Sequence, residues 1–195
     1  MKQTDQPIPS PFTPNAGDLY HDAMELLQTE SFETGIRALQ LLEQAYKIDP
    51  SVIELQLGYV EAYNTLGIHA SIYAHIETGY LMVQKRFPTW PERLEWGDTD
   101  NRGYLRMIQC KADWLWSHGD EAEAKTLYYQ LLQLNPHDNQ GIRYVLAAMY
   151  AGLSDTELDA LWEAVHDTHT FDHVEAMLTI QNKKHGFWDP PLDNV

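Results

Sequence analysis

Cysteine is nearly absent. Cys110 stands alone, which excludes an intrachain disulfide and any multi-cysteine metal site. Basic residues are scarce: 13 Lys plus Arg face 29 Asp plus Glu, a formal net charge of −16. No basic cluster exceeds the pairs Lys85-Arg86 and Lys183-Lys184. A nucleic-acid binder neutralises phosphates with a basic stripe, and an anionic membrane asks for the same; neither is expected as a partner. No apolar run approaches the ~20 residues that span a bilayer. The opening residues, Met1-Lys2-Gln3-Thr4-Asp5-Gln6, lead into prolines and not into the apolar segment of a secretory signal, so a cytoplasmic location is expected. No Gly-rich phosphate loop, nucleophile elbow or HExxH motif occurs. Neither catalysis nor a bound cofactor is expected. Strand signals are missing as well, because Val and Ile are scattered and no alternating run lies between turn residues.

What remains is helix. The chain has 195 residues, 44% of them hydrophobic, too apolar for a disordered acidic chain and long enough to bury a core. Three segments follow: a flexible arm over 1–15, a helical domain over 16–185 and a tail over 186–195. Pro7, Pro9, Pro11 and Pro14 forbid helix in the arm. Asp18 to Gln28 groups Leu19, Ala23, Leu26 and Leu27 on one stripe, and Thr156 to Asp167 groups Leu158, Leu161, Trp162 and Val165. The clearest element runs from Glu121 to Leu134, with Ala124, Leu127, Tyr128, Leu131 and Leu134 together. Its predecessor, from about Asn101 to Ser117, ends before Gly119, a residue suited to helix ends. Cap spacing at Ser51/Glu54, Asp120/Glu123, Ser154/Glu157 and Asp172/Glu175 predicts four helix starts. The expectation is an all-α chain of about nine helices.

Self-similarity organises those helices. Gly119-Asp120-Glu121-Ala122-Glu123-Ala124, followed by Tyr128, Leu131 and Leu134-Asn135-Pro136, closely resembles the second half of a tetratricopeptide repeat, with Ala112 and Leu115 at the matching positions of the preceding helix. Leu39 to Pro50 and the run from Gly79 to Pro88 resemble degenerate copies of the same ending, and a partial unit follows Pro136 through Gly152. Pro50 to Pro88 spans 38 residues and Pro88 to Pro136 spans 48, both longer than the family's repeat of about 34. The resemblance covers roughly Asp18 to Leu153. It implies a solenoid of antiparallel helix pairs. The run Leu134 to Tyr144 also resembles one found in bacterial tetratricopeptide-like proteins, which suggests a bacterial source.

The family pattern implies a concave groove lined by the first helix of each pair. Its positions fall on Arg106, Gln109, Asp113 and Trp116, then on Gln140, Arg143 and Tyr150, with Glu54, Glu61 and Asn64 from the earlier unit. Arg and Trp can anchor a peptide or partner protein, and amides can pair with its backbone. The competing reading is a solvated face in which Arg143 pairs with Asp113. Chaperone-binding members of the family hold a terminal carboxylate with Lys and Asn; here those positions are Gln109 and Asp113, and Asp113 would repel such a ligand.

Other features stay open. His166, His169 and His173 lie among Asp167, Asp172 and Glu163, so a transition-metal site or metal-dependent hydrolase is the alternative function. His166-Asp167 also matches the dipeptide of helical metal-dependent phosphohydrolases, for which His137 and Asp189 would have to complete the site. In the insertion from Pro88 to about Asp100, Trp90 and Trp96 are expected to pack over the joint between repeats, with an exposed contact surface as the other reading. Cys110 is expected in the core. Phe187 and Trp188 are expected either to fold back onto the end of the array or to join copies into a homo-oligomer. From Tyr144 to Asn182 there is no Lys or Arg, which predicts an acidic C-terminal face. Arg102, Arg106 and Arg143 mark a basic spot beside the groove.

Overall fold

A computed structural model describes residues 14–189. Among the described residues there are nine α-helices and no strand: α1 (Ala16–Leu27), α2 (Phe32–Ile48), α3 (Glu54–Thr65), α4 (His69–Arg86), α5 (Thr99–Ser117), α6 (Glu121–Leu134), α7 (Ile142–Ala151), α8 (Asp155–Thr168) and α9 (Asp172–His185). The all-α expectation holds, and α6 has the bounds its periodicity predicts. No helix among the described residues is long and apolar enough to cross a membrane. Most of the predicted arm and the last six residues of the tail lie outside the described residues.

The chain divides into two compact units, Met1–Ile72 and Tyr73–Val195, and α4 straddles the division. In the first, α1, α2 and α3 close on a core of Leu19, Ala23, Leu27, Ala38, Leu42, Leu55, Tyr59 and Ala62. The alanines let backbones approach. Gly58 goes further: a Cβ there would sit 2.7 Å from Leu42 Cδ2 and 3.3 Å from a Tyr20 ring carbon, closer than packed atoms tolerate. α1 and α2 each open with a capping box, Asn15 with Asp18 and Ser31 with Thr34. Neither was among the predicted starts.

In the second unit, α5 and α6 form an antiparallel hairpin around Gly119, whose φ of 88° is the left-handed turn a glycine accepts without strain. Leu105, Ile108, Ala112 and Leu115 meet Ala124, Leu127, Tyr128 and Leu131 in its core. Cys110 lies half-buried. The insertion before α5 is pinned chiefly at Leu94, with Trp90 and Trp96 half-buried. Leu94 is buried and its N–H donates to the Leu134 carbonyl at 2.8 Å. Trp90 stacks on Phe87, and the Trp96 carbonyl accepts a bond from Arg102 Nε at 2.9 Å. α7 and α9 run in the same direction, since Tyr144 reaches Glu175 near their starts and Tyr150 stacks on His185 near their ends.

The cap predictions fared unevenly. Ser154 and Glu157 form a full capping box. Ser51 instead donates to Asp49, leaving α3 without a side-chain cap. Asp120 makes no cap bond to α6. Glu175 is taken by the Tyr144 hydroxyl, and α9 too starts uncapped. A cap requires the residue before the helix to be extended enough to aim its oxygen back at the helix N–H groups. Asp120, with ψ at 54°, and Ile53, already helical, do not meet that requirement.

Candidate functional site

The candidate site is the α5–α7 region of the second unit. α5 buries one side in the hairpin core and turns Arg106, Gln109 and Asp113 outward on successive turns. Arg106 is exposed, with its guanidinium 5.6 Å from the centre of the Trp96 ring; Arg102 faces the same ring at 5.5 Å. These two cations flank a tryptophan of the insertion, the basic spot predicted from sequence less Arg143. Gln109 Oε1 accepts from Gln140 Nε2 at 2.7 Å, and the same amide donates to the Leu105 carbonyl at 3.2 Å. Gln140 Oε1 has no partner.

Asp113 closes the row. Its carboxylate accepts from the buried Tyr128 hydroxyl at 2.6 Å, while the residue stays open to solvent. Protein crowds the carboxylate enough that desolvation lifts its pKa to about 6, against the opposing pull of the Tyr128 bond and with help from Asp159 and Asp155 of α8. The row is acidic at this end, with Asp155 and Asp159 near Asp113, and basic at Arg106.

Three predicted groove residues are placed otherwise. Trp116 is only 9% exposed and is a core residue, on the side of α5 that also buries Ala112 and Leu115. Arg143 does not pair with Asp113. It binds Asp138, Nη1 to Oδ2 at 2.9 Å, and its guanidinium lies over the rings of Tyr144 at 4.4 Å and Trp188 at 4.9 Å. Tyr150 shares a 2.5 Å hydroxyl bond with Tyr129 and is stacked by His185 and Phe187, with Lys125 Nζ 5.2 Å from its ring centre. Glu54, Glu61 and Asn64 belong to the first unit, where Glu61 and Asn64 are exposed.

Sequence reasoning missed Asp138. Buried, with φ at 48°, it aims its two oxygens at the N–H groups of Ile142 (2.7 Å) and Arg143 (3.0 Å), capping α7 from four residues upstream. Burial raises its pKa, and the two N–H bonds and Arg143 only partly offset that. The one legible signal was an aspartate in the turn between Pro136 and Gly141. Lys111 was missed too: it lies buried on α5, salt-bridged to Glu77 of α4.

His166, His169 and His173 do not converge. All three are exposed; His169 is the left-handed residue that ends α8, and it turns the chain between His166 and His173. His166 lies 3.8 Å from its neighbour Asp167. Among the described residues no three His, Cys, Asp or Glu side chains are grouped as a metal site.

The tail is placed as one of its two expected outcomes. Gly186 ends α9 in the left-handed region and the chain turns back. Phe187 is buried, and Trp188 lies on Arg143 with its indole donating to the Pro136 carbonyl at 3.2 Å. Compared with protein-family models, curated proteins and solved structures, the chain has no match.

Proposed function

We propose that this chain is a non-enzymatic, tetratricopeptide-like module that binds a partner protein or peptide along α5. The observation that carries the reading is the row Arg106, Gln109 and Asp113. Successive turns carry an exposed cation, a half-buried amide and an exposed carboxylate. Ala112 and Ala124, both fully buried where α5 meets α6, are the small residues that a tetratricopeptide pair needs for close approach. An extended segment placed on this row pairs its backbone with Gln109 and Gln140, and a Lys or Arg of the segment meets Asp113, Asp155 and Asp159. The partner chemistry is therefore a peptide with a cationic side chain at the Asp113 end. Arg143 plays no part in this, since Asp138 already holds it.

Affinity capture with mass spectrometry tests the assignment, comparing the parent chain with Arg106→Ala/Asp113→Asn. Asparagine keeps an acceptor for Tyr128, so helicity and melting are expected to hold while capture is lost. A partner retained at full yield by the folded double variant removes α5 from the binding surface. The metal-dependent alternative at His166, His169 and His173 draws no support from the geometry, in which the three rings stand apart as exposed groups.

A further inference from the structure

The contacts made by the turn after α9 are those of a bound peptide. Trp188 is gripped by its backbone: its N–H donates to Asn182 Oδ1 at 2.9 Å, and its carbonyl accepts from Asn182 Nδ2 at 2.7 Å. One carboxamide thus satisfies both main-chain groups of one residue, independent of what side chain that residue carries. Specificity comes from the rings. The Trp188 indole donates to the Pro136 carbonyl and lies 4.9 Å from the Arg143 guanidinium. Phe187, 7% exposed, stacks on Tyr150 at 5.6 Å. The receiving groups belong to α7, α9 and the turn before α7. Arg143 and Tyr150 lie seven residues apart on α7, hence on one face. The segment itself is non-helical, joined to α9 through Gly186, whose φ is 60° and around which nothing crowds.

We infer that the α7–α9 face carrying Arg143, Tyr150 and Asn182 is a recognition site for an extended peptide bearing adjacent Phe and Trp, and that the chain's own Phe187–Trp188 occupies it in cis. The site does not depend on the α5 row and stands whether or not α5 binds anything. Backbone pairing, a ring-on-ring stack and a cation over an indole are the elements by which extended peptides are held. A ligand joined by one glycine competes at an effective concentration in the millimolar range. A free peptide must therefore displace a tethered one.

The probe is a synthetic fluorescent peptide copying residues 185–189, with a control in which both aromatic residues are alanine. The receptor is the full chain carrying Phe187→Ala and Trp188→Ala, its folding checked by circular dichroism and melting. Saturable binding of the probe is expected, at least tenfold weaker to the parent chain and at least tenfold weaker when Asn182→Ala is added. The alanine control is expected not to bind. No binding by the folded receptor overturns the inference, as does equal binding of probe and control. If the double variant does not fold, Trp188→Ala alone serves as receptor, because it leaves Phe187 in place. Loss of folding in both variants also overturns the inference, since the segment is then part of the core and not a ligand.

Discussion

Asp138 offers the sharpest test of how the second unit is held. Replacing it with alanine removes both oxygens from the α7 N–H groups of Ile142 and Arg143. The loss of such a cap costs about 1–2 kcal/mol. Alanine must also take up a φ of 48°, which costs roughly 1 kcal/mol for a residue with a Cβ and no local acceptor. Arg143, half-buried between Tyr144 and Trp188, loses its ion partner, worth about 1 kcal/mol at its partial exposure. Together Asp138→Ala is expected to lose about 3–4 kcal/mol, a fall in melting temperature of roughly 10 °C for a chain of this size. Asp138→Asn separates cap from charge. Asparagine tolerates the left-handed region and keeps one acceptor. Because burial raises the Asp138 pKa despite its partners, the fold already disfavours the charged form relative to the neutral one. A neutral isostere should therefore lose only about 1 kcal/mol. Urea unfolding of the three proteins measures this. Equal damage from Asn and Ala would show that charge outweighs the cap, and an alanine variant within 1 kcal/mol of the parent would refute the capping role itself.

Other outcomes follow from the same contacts. Asp113 has its pKa raised from 3.8 to about 6, so its ionised form weakens the fold; stability should grow as pH falls through about 6 and level off below the ordinary value of 3.8. Unfolding free energy plotted against pH should show that rise in the parent chain and lose it in Asp113→Asn; parallel curves would contradict the assignment. Gly58→Ala should destabilise by about 1–3 kcal/mol, since the added Cβ overlaps the fully buried Leu42, and a urea midpoint equal to the parent's would mean that α2 and α3 part freely. Elemental analysis of purified protein should find less than one equivalent of zinc, manganese or iron; a stoichiometric metal lost in His166→Ala/His173→Ala would revive the metal reading.

The candidate site was legible in part. The row on α5 followed from helical spacing and the repeat pattern, which place Arg106, Gln109 and Asp113 on one side of α5. Trp116 follows the same spacing, yet it lies in the core. Whether a given turn of a helix faces solvent depends on which neighbours arrive over it, and spacing carries no information about them. Arg143 and Tyr150 have contacts that helical spacing does not announce. Their partners are Asp138 in a turn and Phe187 and Trp188 beyond the last helix, and nothing in the α7 pattern points to either.

Local chemistry therefore decided the helices. The stripe from Ala124 to Leu134, Gly119 at a turn, Pro136 after a helix and Ser154 with Glu157 act within a few residues, and each did what its spacing implied. The absence of basic clusters likewise followed from the residues alone. Tertiary structure decided where polar groups found partners. Glu175 turned to Tyr144, Gln140 to Gln109 and the Leu105 carbonyl, and Lys111 to Glu77. Several acceptors of similar strength compete for each donor, and the winner is set by distance and burial after the helices have packed, which only three-dimensional structure supplies.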